Sequence, residues 1–160
     1  MRRLPALIDW IDANATGKGD GGLYFAGREK IKRSGLFDDI IAAAANFYFC
    51  TWRESSAPKL LAFRIPPGAS MRKHADRHFG RAVVVYLSEG APLFVTDSGL
   101  YYRIDPAPGL MVTLPHSMEH WVGAQQGSAS RYSLSIFFTP ESAEWRNTYS
   151  VAHKVHWNRY

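Results

Sequence analysis

Cysteine is almost missing. The 160 residues hold one, Cys50, in the apolar, aromatic stretch 46–52. A single thiol cannot close an internal disulfide, so it reads as a buried core thiol. Long apolar runs are missing too. None approaches the ~20 residues a membrane helix needs, and no membrane association is expected. The start, Met1-Arg2-Arg3-Leu4-Pro5, is basic, but no apolar run comes after it, and Asp9 and Asp12 break up the next stretch. No secretion signal is read there, and a cytoplasmic location is the expectation. No repeat or interdomain linker is visible. Four glycines, Gly17, Gly19, Gly21 and Gly22, resemble a phosphate loop on the surface. No strand precedes them and no Gly-Lys-Ser/Thr follows, which excludes that reading. No Ser-His-Asp or Cys-His order points to hydrolysis, and no H-E-x-x-H pattern points to a zinc hydrolase.

What is present is globular material. Apolar residues make up 46% and aromatic residues 14% of the chain, enough for a real core in one domain of this length. The net charge is +5. The basic residues are scattered, with small clusters at Arg2-Arg3 and from Lys30 to Arg33, so they read as a solvated surface. The tail residues His153, Lys154 and His156 are expected at the surface.

Residues 4–15 carry Leu4, Leu7, Ile8 and Ile11 near helical spacing, and 36–46 predicts a second helix with Asp38-Asp39 near its start. Strands are expected at 47–53, 59–65, 82–87, 92–96, 100–104, 110–114, 120–124 and 131–138, with turn residues between them. Two helices followed by about eight strands predict a mostly β sandwich or barrel with flanking helices. The chain divides into N-terminal helical support and first strand (1–58), β core (59–138) and tail (139–160). The tail is expected to pack as a short helix and extension, or to cross to a partner subunit.

The chemistry concentrates between residues 74 and 138. His74-Ala75-Asp76 places two ligating side chains one residue apart, able to face one cavity from a strand end. A third ligand must come from a distant strand. His120 is the candidate, with His116 as its rival four residues before. Two imidazoles and a carboxylate on one face of a metal suit a non-haem Fe(II) that activates dioxygen. Arg131 comes eleven residues after His120 and alternates with Tyr132, Leu134, Ile136 and Phe138. It therefore shares the inner face with Ser133, Ser135 and Phe137. A charged residue facing into a barrel needs an anion.

These motifs resemble the 2-oxoglutarate- and Fe(II)-dependent oxygenases, in the prolyl-hydroxylase-like branch. The resemblance spans about residues 60–138. It includes Arg64-Ile65-Pro66-Pro67-Gly68, His74-Ala75-Asp76, Val83-Val84-Val85-Tyr86-Leu87, Leu114-Pro115, His120-Trp121-Val122 and Arg131-Tyr132-Ser133. It implies a double-stranded β-helix (jelly-roll) core and an Fe(II) held by His74, Asp76 and His120. The spacing from Leu114-Pro115 to His120-Trp121-Val122 selects His120 over His116. 2-Oxoglutarate would chelate the metal, with its far carboxylate on Arg131 and Ser133. Tyr86 would add a phenol hydrogen bond to that carboxylate, or simply pack in the core. Dioxygen, succinate and carbon dioxide complete an aliphatic C–H hydroxylation.

His116 and His78 would lie nearby rather than ligate. Ile65, Met71, His116 and Trp121 are candidate pocket lining. Ile65 and Met71 stand where the family often carries tyrosines, around an intact Gly68, so prolyl specificity is not transferred. The substrate would be an amino acid, a peptidyl side chain or another small molecule, with the protein a monomer or homodimer. The nucleic-acid-dealkylating branch would carry a second Arg six residues past Arg131, where Phe137 stands. That argues against nucleic acid. The rivals are a cupin-like metal enzyme without 2-oxoglutarate, which leaves Arg131 unexplained, and a non-catalytic metal- or ligand-binding barrel.

Overall fold

A computed structural model describes residues 3–48, 59–77, 81–97, 99–115, 117–138 and 152–154. Three helices precede the main strands: α1 (Leu4–Asn14), α2 (Arg28–Ser34) and α3 (Asp38–Tyr48). The strands are β1 (Gly17–Lys18), β2 (Tyr24–Gly27), β3 (Lys59–Ile65), β4 (Met71–His74), β5 (Arg81–Tyr86), β6 (Leu93–Asp97), β7 (Leu100–Ile104), β8 (Leu110–Pro115), β9 (Glu119–Val122), β10 (Arg131–Phe138) and β11 (Ala152–Lys154). They form two antiparallel sheets. The larger runs β1-β2-β3-β10-β5-β8-β11 and the smaller β4-β9-β6-β7. This is the expected mostly β jelly roll with flanking helices.

Strand alternation sorts the larger sheet into two faces. On β10, Leu134, Ile136 and Phe138 join Val83, Val85 and Leu60 against the helical residues Leu7, Ile11, Ile31 and Ile41 and the turn residue Phe37. Burying side chains of this kind contributes roughly 1.5–3 kcal/mol each. On the other face Phe63, Val84 and Phe137 meet Leu93, Val95 and Val122 of the smaller sheet. The site lies between the sheets, on this second face.

Three sequence expectations are corrected. The predicted strand 47–53 begins inside a helix, since α3 continues to Tyr48; residues 49–58, Cys50 among them, lie outside the described residues. The glycine-rich loop contains β1, and β2 and α2 come next where no element was expected. α2 has only Ile31 buried, so no apolar periodicity marks it; Gly35 in the left-handed conformation (φ +65°) closes it. Of the tail, only 152–154 are described: they form a short strand, β11, paired antiparallel with β8, and the expected short helix lies outside the described residues. The glycine loop has a packing role: a Cβ on Gly21 (φ +85°) would lie 2.2 Å from the Ser70 carbonyl oxygen. The Ser70 N–H donates to the Gly21 carbonyl at 3.0 Å, so only glycine lets the two backbones meet.

Among the described residues, no helix is long and apolar enough to cross a membrane.

Candidate metal and co-substrate site

β4 and β9 are neighbours in the smaller sheet, with His74 opposite His120. A register irregularity between Met71 and His74 re-aims the end of β4, as bulges do beside functional sites. Asp76 comes two residues later. Its carboxylate sits between the imidazoles, Oδ1 3.6 Å from His74 Nε2 and Oδ2 3.5 Å from His120 Nε2. One ligating atom from each of the three lies within 4.8 Å of the others. One divalent ion can touch all three.

The backbone fixes which ring nitrogen is offered. His74 Nδ1 lies 2.8 Å from the Arg72 carbonyl, and His120 Nδ1 lies 3.1 Å from the Met118 carbonyl. A carbonyl only accepts, so each Nδ1 carries the proton and donates. Each Nε2 lone pair is left toward Asp76, the orientation metal-ligating histidines adopt. His74 is partly exposed and His120 buried, so the centre is open on the β4 side and closed within the barrel.

Burial holds the His120 imidazole below its usual pKa of 6.5, with the Met118 carbonyl and Asp76 opposing. Neutral imidazole is the form that binds a metal. The depressed folded value favours the fold when the ring is neutral. That contribution is complete above about pH 6.5, the unfolded value, and is lost as pH falls through the folded one. Denaturant titration of the metal-free protein between pH 8 and 5.5 is expected to show this acid-side loss. His120→Gln, which carries no titrating group, is expected to flatten it.

Arg131 begins β10 and is 2% exposed. It pairs in register with Ile65 of β3, while Ser133 pairs with Phe63 of β3 and Tyr86 of β5. Arg131, Ser133, Ser135 and Phe137 line the same pocket as His74, Asp76 and His120. Its other walls include Phe63, Met71, Val84, Leu93 and Val122. The Arg131 guanidinium carbon stands 4.9 Å from the centre of the Tyr86 ring, a cation–π contact. Burial pulls the guanidinium below its usual value and pushes the Tyr86 phenol up from 10.0, with Arg131 opposing. Near neutral pH the pair is a cation over a neutral phenol. Among the described residues, Arg131 Nε and Tyr86 Oη are both buried without a well-formed hydrogen bond.

Of the other candidates, Met71 lines the pocket, and Ile65 is fully buried in the inter-sheet core, off the lining. Tyr86 is on the pocket side of β5, beneath Arg131 rather than on the lining. Trp121 is on the outer face of β9, stacked 5.4 Å from Phe94 and edge-on to Tyr101. It does not line the pocket, because His120 and Val122 on either side of it point inward. His78 and His116 lie outside the described residues. The sequence reading missed Gly90, which lies against the Arg131 stem, and Gln125, whose amide lies against Gly90.

Orphaned donors beside a three-ligand cluster fit a small anion held next to a divalent metal. Arg131 has no carboxylate partner among the described residues, so the missing charge would come from a ligand.

No protein-family model and no curated protein matches the sequence. Solved structures do match in fold. A prolyl-4-hydroxylase from Pseudomonas putida aligns with a TM-score of 0.63 at 18% identity, over 86% of each chain. An oxidoreductase of the 2OG-Fe(II) oxygenase family from Burkholderia pseudomallei aligns at 0.62 and 14%, over 88% of this chain and 79% of that one. A prolyl hydroxylase from Trichoplax adhaerens, in complex with a hypoxia inducible factor oxygen degradation domain peptide fragment, aligns at 0.61 and 16%, over 88% and 80%. At these identities the likeness establishes a shared fold. The activity must be argued from the site.

Proposed function

We propose that the chain is an Fe(II)- and 2-oxoglutarate-dependent dioxygenase that hydroxylates an aliphatic C–H of an amino acid, peptidyl side chain or small metabolite. The observation that carries this reading is Arg131: a buried cation without an anion among the described residues, in the same pocket as a His-Asp-His cluster. A cupin-like metal enzyme without 2-oxoglutarate, or a passive barrel, gives that cation nothing to bind.

His74, Asp76 and His120 would hold Fe(II). When bound, the metal supplies dioxygen activation coupled to decarboxylation of 2-oxoglutarate to succinate and carbon dioxide. The chain supplies placement. Arg131 grips the far carboxylate of 2-oxoglutarate through charge-assisted hydrogen bonds, and Ser133, two residues along the same strand, adds its hydroxyl. Tyr86 holds the guanidinium plane from beneath and offers a phenol proton. Phe63, Val84 and Phe137 exclude water, which strengthens every polar contact made there. The Arg72 and Met118 carbonyls keep both imidazoles aimed at one point. Substrate reaches the centre from the exposed His74 side. Residues 1–160 act as one domain in this reading.

The test is turnover. Purified protein with Fe(II), ascorbate and 2-oxoglutarate is expected to form succinate in air, and faster when an accepted substrate is added. Succinate formation unaffected by removal of iron would overturn the proposal.

A further inference from the structure

Behind Arg131 lies a loop bracket that contains none of His74, Asp76 and His120. Gly90, between β5 and β6, packs its α-carbon directly on the Arg131 stem. A Cβ there would lie 2.8 Å from Arg131 Cβ, 3.1 Å from Arg131 Cγ and 2.8 Å from Gln125 Oε1. Its φ of +148° adds a second reason for glycine. Gln125, between β9 and β10, is 5% exposed and uses both ends of its amide. Oε1 accepts from the Ala91 N–H at 2.7 Å, and Nε2 donates to the Ala129 carbonyl at 2.8 Å. Its backbone N–H donates to the Ala69 carbonyl and its carbonyl accepts from the Gly68 N–H, each at 2.8 Å. The Tyr132 N–H donates to Ser88 Oγ at 2.8 Å, and the Leu87 N–H donates to the Tyr132 carbonyl at 3.0 Å. Gly90 thus lies on the stem, Gln125 ties its loop to two others by hydrogen bonds, and the Tyr86 ring supports the head.

We propose that Gln125 and Gly90 are positioning residues, which clamp the Arg131 stem and so set the depth and direction of its guanidinium in the pocket. The inference rests on the reading of Arg131 as the carboxylate anchor. A long side chain reaching a ligand from the start of a strand has many rotamers to lose. A glycine wall and a buried amide remove them before the ligand arrives, which is preorganisation. The bracket also links the anchor to the Gly68-Ala69 turn just ahead of β4, the strand that bears His74.

The experiment uses the full chain and three substitutions: Gly90→Ala, Gln125→Ala and the volume-keeping Gln125→Leu. Two readouts are taken. One is anaerobic titration of the Fe(II)-loaded protein with 2-oxoglutarate. The other is the Arg131 Nε–H resonance, identified by its loss in Arg131→Lys. The expected result is a 2-oxoglutarate requirement raised on the order of 10- to 100-fold, with Fe(II) affinity as in the wild type and the Nε–H signal shifted or broadened. Wild-type titration with an unmoved Nε–H signal would overturn the clamp. If wild type binds no 2-oxoglutarate, or binds it independently of Arg131, the functional reading fails. The clamp is then decided by the Nε–H signal alone: moved in the variants, it stands; unmoved, it falls. A variant that loses Fe(II) binding has lost the fold, and the others decide.

Discussion

Arg131→Met raises the 2-oxoglutarate requirement roughly 30- to 700-fold and leaves Fe(II) affinity near its wild-type value. The size comes from removing one partner of a desolvated charge pair, about 2–4 kcal/mol at 1.4 kcal/mol per tenfold. The selectivity comes from geometry, because Arg131 approaches the pocket from the larger sheet while His74 and His120 come from the smaller one. Methionine keeps most of the stem that Gly90 packs against, so the walls do not collapse. The substitution carries a second expectation of opposite sign. Without ligand, the buried guanidinium lacks an anion and its Nε lacks a partner among the described residues. Replacing it with an apolar side chain relieves that cost, so the ligand-free variant is more resistant to denaturant than wild type. A side chain kept only for packing or for the fold would show neither effect. Equilibrium titration and a urea curve measure the two.

Asp76→Ala abolishes metal binding in the micromolar range. The carboxylate is the one anionic donor of the cluster, and it spans both imidazoles at 3.5 and 3.6 Å. Losing a ligand outright costs more than the ~10–100-fold that losing a supporting partner costs. Stability reports it without turnover. A metal present at a hundred times its dissociation constant stabilises the folded state by about 2.7 kcal/mol. Anaerobic Fe(II) or Mn(II) therefore raises the wild-type urea midpoint and leaves that of Asp76→Ala unchanged. A variant that still gained stability from the metal would place the binding site elsewhere. The exposed Lys73–Glu119 pair (2.9 Å), which joins the same two strands on the outer face, serves as the control. Solvent screens such surface pairs, which contribute little, so Glu119→Gln keeps metal binding.

The alternation in β10 made its inner face legible: Arg131, Ser133 and Ser135 interleave with Leu134, Ile136 and Phe138, and the two sets do face the pocket and the helices. The bounds of β7 and β10 are set by turn residues on either side and match the expected 100–104 and 131–138. β4 has no such signal. Three of its residues, Arg72, Lys73 and His74, are exposed, so it reads as loop although it carries His74 of the cluster. α2 escaped for lack of a second apolar residue, and β2 is too short to show a period. Trp121 was misplaced by adjacency: next to a ligand in sequence, it is on the opposite face of the strand. Gln125 falls in a stretch of glycine, serine and alanine with no periodicity at all. Its role exists only once the loops around Gly68, Gly90 and Ala129 are brought together, which no local pattern encodes.

The central claim is that one pocket holds a metal and the 2-oxoglutarate carboxylate together. Anaerobic protein is loaded with Fe(II), then titrated with 2-oxoglutarate, and the weak visible charge-transfer band of the chelate is monitored. The account predicts a band in wild type, no band in His74→Ala, and a band in Arg131→Met that needs far more 2-oxoglutarate. Iron that binds without ever developing the band contradicts the co-substrate claim and leaves the cupin-like reading in its place.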